Sequence, residues 1–569
     1  MTESDLAVFR ALLHKKESTI AVQDETFFAF SRRDNVEVEL RSSLKVMLDD
    51  KKEKDAFVCT FPARALWISK HYSEVGQVSF DHCDDLKHYL KSVNTDSISL
   101  VYASENLVSP SSFMGHSFLK LNSKSGREHA VSYFTDVDSI NVPKLLFESI
   151  VTGKQGHFVV SPYSESEQFY GKVESRNIYE YHLGLSEYEV KLITLHLWEL
   201  KNRRIDYFFH THNCATITLD ILGIIEPNMI QSQSSWLTPL DVVKVVNQSR
   251  LVSRSTITPS LNWQLRAYGK NLSSGKKRQF NRQLISGQVP RLNGTEADML
   301  LTGQYLLALN QYLFDQKKIT KELWQLNNRK ISNLIDSVSS LEIDVGNFKN
   351  PLNRLGDSQL SFSLFMNNQS PYLSIKAIPA SHLVSDDNRH AFSESSLQLI
   401  SPKIIISDDK VKLDEFTLYG ISQYIPYEPA VNGLSGYFSM AYSGFNAHSF
   451  KNESKIFVDG GIGFSFQPMA ALQYYGTLGG ALVTDARKLW LESKLEAGLF
   501  AYLRGNNKLN LSVKWVFNEN NQHQGSVKIE LGNTFTIDAD QAMLFGVNYS
   551  DWHEPTSNLT LFVGYKLYF

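Results

Sequence analysis

Three of the 569 residues are cysteines, and one of them stands apart. Cys214 follows Asn213 and opens an apolar run, Ala215 to Leu222, that ends at Gly223 with Pro227 just beyond. This pattern predicts a helix over 215–222 with Asn213 as its N-cap. A thiol at a helix start meets the positive end of the helix dipole, which stabilises the thiolate and lowers the thiol's pKa. The same turn offers backbone N–H groups, that of Cys214 included, to a developing oxyanion. Acyl transfer through a thioester needs both. The plainer alternative is a buried structural cysteine, the commoner state of a lone thiol.

A thiol nucleophile needs a base within hydrogen-bond reach. His116 is the best candidate: it follows Gly115 at the start of an alternating run, His116-Ser-Phe-Leu-Lys-Leu121, in which His116, Phe118 and Lys120 share one face. A histidine in a strand is more often a surface or satisfied core residue. A competing constellation is His210, His212 and Cys214, which would share a face if extended and could then bind zinc; a helix beginning at Cys214 breaks that face. Close carboxylate pairs, phosphate-binding loops and serine-centred nucleophile elbows are not evident. No cofactor or bound metal is expected.

The elements around these residues fall into four stretches. Residues 1–95 read as a small helical module, with helical spacing over Ala7–Leu13, Leu40–Leu48 and Asp84–Val93. Residues 96–250 change to strands at Ile98–Ala103, Gly115–Leu121 and His129–Phe134, then to a helix after the capping box Ser186-Glu-Tyr-Glu189, with an extended piece, Tyr207–His210, leading to Cys214. Residues 251–345 read as a helical connector, clearest at Ala297–Leu313 and Glu322–Leu341. From 346 to 569, short alternating segments recur between Asn, Asp, Gly and Ser, giving about 12 strands. The class is therefore α+β, ending in an antiparallel β-barrel.

The barrel has two readings, a soluble one and an outer-membrane one. A strand with one face to lipid and one to a lumen must alternate, and the sheet must close because an open edge in lipid leaves backbone groups unsatisfied. Tyr437, Tyr442, Tyr474, Tyr475, Tyr502, Tyr549, Tyr565 and Tyr568 suit interfacial aromatic girdles, and the last segment ends in Phe569, as outer-membrane barrels do. The membrane reading is favoured. No run of about 18 apolar residues predicts a transmembrane helix. Met1–Lys16 lacks the basic-then-apolar pattern of a signal peptide.

Composition bounds the rest. At 42% hydrophobic, 21% charged and 12% aromatic, the chain is an ordinary folded protein of several domains. A net charge of −3 argues against a nucleic-acid partner. An oxidising compartment would allow Cys59 and Cys83 to pair, leaving Cys214 free; in a reducing cell all three are unpaired thiols, and spacing alone leaves both open.

The residues Val101-Tyr-Ala-Ser104, Pro110-Ser-Ser-Phe-Met-Gly-His-Ser-Phe-Leu-Lys-Leu121, His129-Ala-Val-Ser-Tyr133, Trp198-Glu-Leu200, Asp206-Tyr-Phe-Phe209 and Asn213-Cys214 resemble, in order and spacing, the family named after the N-terminal periplasmic domain of a lipoprotein N-acyltransferase. Cys59-Thr-Phe-Pro-Ala-Arg64 and Cys83 resemble a helical module that often precedes it, and the distal strands are similar to the barrel domain of Gram-negative members. The resemblance implies a permuted papain-like (NlpC/P60-like) fold, in which the His strand precedes the Cys helix. It implies a Cys214 thioester with His116 as base, a Cys59–Cys83 disulfide, and a catalytic domain in the periplasm of an outer-membrane protein. The characterised relative carries membrane helices after the domain, whereas strands follow it here. Ser132 stands where the family usually has Asn as the third member; Ser132, or else His129, would orient His116. His212 stands where relatives often carry an acidic residue. The function so implied is cysteine-dependent acyl transfer on lipid or lipoprotein, with outer-membrane lipid and a lipoprotein or phospholipid as partners. The alternatives are a cysteine hydrolase (peptidoglycan amidase or peptidase, thioesterase or lipase) and a non-enzymatic, barrel-anchored envelope protein.

Overall fold

The computed structural model describes residues 3–16, 19–30, 35–49, 51–105, 114–136, 144, 147–231, 236–336, 349–366, 371–407, 410–446, 451–485, 487–518, 525–551 and 558–569. Contacts divide the chain into two units, Met1–Thr258 and Pro259–Phe569.

In the first unit, helices α1 (Glu3–Leu12), α2 (Val36–Leu48), α3 (Lys51–Thr60), α4 (Pro62–His71) and α5 (Asp84–Val93) precede a sheet. A disulfide joins Cys59 to Cys83, tying α3 to the start of α5. The helices are locked to α6 (Glu187–Leu200) by a buried carboxylate. Glu199 accepts from the Ala63 and Arg64 N–H groups at 2.8 and 3.1 Å, so it caps the start of α4, and it pairs with the Arg64 guanidinium at 3.2 Å. Arg64 also meets Glu39 of α2 at 3.7 Å, and all three side chains are buried. Removing one partner of such a group strands a charge, so the group ties α2, α4 and α6 together.

The sheet has seven antiparallel strands: β1 (Ser97–Ala103), β2 (His116–Asn122), β3 (His129–Thr135), β4 (Lys154–Pro162), β5 (Ile178–Leu183), β6 (Asp206–Tyr207) and β7 (Val252–Thr258), in the order β6-β4-β3-β2-β1-β5-β7. Helices α7 (Cys214–Leu222) and α8 (Pro239–Gln248) follow β6 in the chain, and α7 packs on β2 and β3. Strand β7 lies where the sequence reading began a helical connector. It is exposed along much of its length and is held by main-chain pairing to β5, so its residues show no buried face for a pattern to report. The Asp206–Tyr207 strand is also shorter than the extended piece expected, because Phe208 bridges back to His212 and turns the chain.

In the second unit, α9 (Leu261–Tyr268), α10 (Ser274–Ile285), α11 (Glu296–Asp315) and α12 (Lys321–Asp336) share a core that includes Ala430 and Val431 of a barrel turn. Lys277 pairs there with Glu428 at 2.5 Å. The helix read as Glu322–Leu341 is described to Asp336; 337–341 lie outside the described residues.

Twelve strands, from Gln359–Met366 to Asn558–Tyr568, close into an antiparallel barrel, the first pairing with the last. Alternation sorts the side chains. On the last strand Leu559, Leu561, Val563 and Tyr565 are exposed outward, while Thr560 and Lys566 are buried inside. Inside, charges are paired: Lys494 with Asp459 at 2.7 Å and Lys514 with Glu496 at 3.2 Å. The tyrosines expected at girdles divide accordingly. Tyr474 and Tyr565 are exposed, whereas Tyr475, Tyr502 and Tyr568 turn inward and donate to Glu496, Glu394 and Asp386.

The connection between Ile378 and Glu394 leaves the rim and enters the lumen. Asp386 accepts from Lys566, from Tyr568 at 3.1 Å and from Gln359 at 2.6 Å. Lys508, on the strand Asn507–Asn518 of the opposite wall, donates to the Val384 and Asp386 carbonyls at 2.5 and 2.7 Å and pairs with Glu394. Val384 packs on Tyr424, Tyr475 and Phe500. Beside this segment a lumen cavity of about 410 Å³ remains, lined by Ser363, Lys376, Lys403 and Glu530 among others.

Candidate active site

Asn213 is the N-cap, and α7 starts at Cys214. The Asn213 side chain accepts from the Thr216 N–H at 3.0 Å, and Thr216 Oγ1 accepts from the Asn213 N–H at 2.7 Å, a reciprocal capping box. The Asn213 amide then donates to the Phe209 and Leu237 carbonyls, each at 2.9 Å. One side chain therefore fixes the helix start and both loops beside it.

The sulfur is placed by a gap in the sheet. Strands β2 and β3 pair at Leu121↔His129, Lys120↔Ala130 and Leu119↔Val131. Beyond that point β3 continues against β4, and the start of α7 takes its place beside β2: the Ser117 and Ala215 N–H groups point at the Cys214 sulfur. Thr218 Oγ1 donates to the Ser117 carbonyl at 3.4 Å. The sulfur thus sits against the backbone of the residue next to His116. Gly115 admits the chain to β2 with a φ of +81°, and a Cβ there would lie 2.6 Å from the Tyr102 ring and 2.8 Å from the Ala103 carbonyl oxygen.

The His116 ring stacks on Tyr170, centroids 5.7 Å apart, and lies 5.8 Å from Phe118. Its Nε2 is buried and has no hydrogen-bond partner among the described residues. Burial, then the nearby Arg176 charge, pushes the imidazole down to about 3. The thiol departs from the expected low value. Burial pushes Cys214 up to about 11, against the downward pull of the N–H groups of Ser117, Ala215 and Cys214 and of Arg176. Desolvation outweighs the helix dipole because the whole helix start is buried. At rest both groups are neutral, Cys214 a thiol and His116 an imidazole.

Ser132 is half-buried on β3, one residue past the last β2–β3 pair and opposite Val159 of β4. It makes no hydrogen bond to His116 Nε2. His129 pairs with Leu121, five positions along β2 from His116, about 17 Å away at strand spacing. His210 and His212 do not converge with Cys214: the Phe208–His212 bridge turns the segment, and among the described residues only Cys59, His82 and Cys83 bring three ligand-type atoms within 4.8 Å, two of them in the disulfide.

Sequence reasoning missed the groups packed around the pair. Arg176 precedes β5 at the end of the sheet that carries His116, since Ala103 pairs with both Ile178 and His116. It is buried, lies over the Tyr170 ring at 5.2 Å and pairs with Glu174 at 2.6 Å. Tyr207 places its hydroxyl against the Cys214 N–H, the donor first expected to face an oxyanion. An isolated Arg before a short strand carries no sequence signal of this role.

A family model described as the Lnb N-terminal periplasmic domain matches residues 85–249. Residues 85–249 belong to that family. Around the Lnb-type domain, two models described as domains of unknown function match residues 4–71 and 350–568. No curated protein matches the chain. Among solved structures, the KdgM porin is 11% identical, with 37% of this chain and 99% of that one covered and a TM-score of 0.25. The outer-membrane protein OmpT of Vibrio cholerae is 10% identical, with 37% and 96% covered and a TM-score of 0.21. The transport unit of the autotransporter AIDA-I from Escherichia coli is 12% identical, with 42% and 97% covered and a TM-score of 0.21. The barrel's closure and apolar exterior, together with the Lnb-type domain, make this an envelope protein of the outer membrane with that domain in the periplasm.

Proposed function

We propose that the Lnb-type domain is a cysteine acyltransferase that takes an acyl chain from lipid or lipoprotein at the outer membrane. The observation that carries the reading is the Cys214 sulfur resting on the Ser117 N–H, one residue from His116, whose buried Nε2 is unpartnered among the described residues. The thiol proton passes to His116 Nε2 as sulfur attacks the ester carbonyl. The leaving alcohol takes that proton back, leaving an acyl thioester on Cys214. An amine then attacks the thioester and restores the thiol. Starting from two neutral groups avoids burying an ion pair before substrate arrives. The barrel keeps the domain near acyl chains, its lipid substrates. Ser132 and Asn213 serve as positioning residues, Asn213 by holding the helix start.

The test is intact-mass analysis of the full chain after incubation with phospholipid vesicles and an acceptor lipopeptide. An acyl adduct on Cys214, absent from Cys214→Ala, and acyl transfer to the peptide amine are expected. Release of free fatty acid without transfer assigns a hydrolase. No adduct, with lipid and peptide unchanged, leaves the non-enzymatic anchor.

A further inference from the structure

We propose that Arg176 supplies the oxyanion donors of the Cys214 reaction, with its Nε and Nη1 groups holding the carbonyl oxygen of the ester under attack. This rests on the Cys214–His116 reading. The helix-start donor expected for that role, the Cys214 N–H, is shared between its own sulfur and the Tyr207 hydroxyl. Arg176 is 3% exposed, and its Nε and Nη1 have no hydrogen-bond partner among the described residues. Its third nitrogen is held by Glu174 and its plane by Tyr170, the ring that also stacks on His116. Its main-chain N–H donates to the Tyr170 carbonyl at 2.9 Å. A buried guanidinium so held has two donors left at the sheet end where His116 lies. Buried donors left unpaired cost stability unless a ligand meets them.

Sulfur bonds to the carbonyl carbon, and the C=O π pair moves onto oxygen, where Arg176 meets the charge. The thiol proton goes to His116. The pair returns, the C–O bond to the alcohol breaks, and that oxygen takes the proton from His116, leaving the thioester. Arg176 touches the reacting oxygen, so it is a catalytic residue in this scheme.

Two probes on the full chain in detergent separate this role from a structural one. Hydrolysis of p-nitrophenyl butyrate passes through an oxyanion; labelling of Cys214 by methyl methanethiosulfonate does not. Arg176→Gln should slow ester turnover about 10²–10³-fold, while labelling changes far less. Arg176→Lys should recover part of the ester rate. Glu174→Gln, which keeps the donors, should cost less than either and serves if Arg176→Gln does not fold. Equal loss in both probes, or none in turnover, overturns the role of Arg176. Turnover untouched by Cys214→Ser instead sinks the reading beneath it.

An independent set of contacts carries a second inference. We infer that residues 379–393 plug the barrel and keep it closed to ions and small solutes, with Asp386 as the latch. The segment spans the lumen, bonded to the first and last strands through Asp386 and to the opposite wall through Lys508. Asp386, Lys508 and Lys566 are all nearly fully buried. Asn388 adds a bond from its N–H to the Tyr502 hydroxyl at 3.1 Å. In planar bilayers the wild-type chain should show no steady conductance with potassium chloride. Asp386→Ala, and replacement of 383–391 by a short Gly-Ser loop, should open channels. Heat-modifiable gel mobility identifies folded barrels, and Asp386→Asn keeps the shape while removing the charge. A conducting wild type, or a folded loop-replaced barrel that stays closed, overturns the plug.

Discussion

Cys214 is the one cysteine outside the disulfide, so a thiol reagent reads it alone. The perturbation is pH. Burial raises the thiol to about 11, so at pH 7 the thiolate is on the order of 10⁻⁴ of the population, against about 3% for an unperturbed thiol near 8.5. That alone slows methyl methanethiosulfonate labelling about 300-fold. A more basic sulfur is intrinsically more nucleophilic, with a Brønsted coefficient of about 0.4–0.5, which returns roughly tenfold. The net expectation is labelling about 30-fold slower than that of a free thiol, before any steric effect. Steric hindrance scales the rate alike at each pH, so the slope is the sharper reading. The logarithm of the rate should climb about one unit per pH unit from 7 to 10, with no plateau. The assay is mass-resolved labelling of the full chain, with circular dichroism confirming the fold at each pH. A plateau between pH 6 and 9 would mean a low-pKa thiolate, and the argument that desolvation outweighs the helix dipole fails.

The Cys59–Cys83 bridge closes a separation of 24 residues, which loop entropy values at about 3.5 kcal/mol; the double serine variant should lower the thermal transition of the first unit by roughly 10 °C, and a shift under 2 °C refutes it. His116 and His196 are held down to about 3 and about 4 by burial. Folded, they stay neutral while the unfolded chain binds protons below about 6.5, so their contribution is complete above that pH and falls by about 1.4 kcal/mol per histidine per unit as acid is added. Calorimetry of the first-unit transition should show a flat region from pH 8 to 7 and a decline below 6.5; no decline by pH 4.5 contradicts it. Leu561 is exposed on the barrel exterior, so Leu561→Arg should cost about 2–4 kcal/mol if it meets mid-membrane lipid; unaltered urea unfolding in vesicles contradicts the lipid-facing assignment.

Much of this protein was legible along the chain. Alternation from Gln359 to Phe569 marked the strands because lipid and lumen demand opposite chemistries at period two, and the observed barrel has twelve. Asn213 and Gly223 bracketed α7, since capping is local chemistry. The strand Val252–Thr258 was lost to a helical reading because pairing to β5, not burial of one face, holds it. Three properties belonged to the tertiary structure alone. The Cys214 sulfur meets the backbone of Ser117, the residue after His116, only because β3 stops pairing with β2 and α7 fills the gap. The thiol's pKa is raised because desolvation depends on every element packed around the sulfur, which no local pattern encodes. Asp386, a loop residue by any periodicity, enters the lumen and meets Lys566 because a buried charge must find its opposite. The sequence determined which side chains have chemistry to offer; the packed structure decided which of them lose their water, and so which could act.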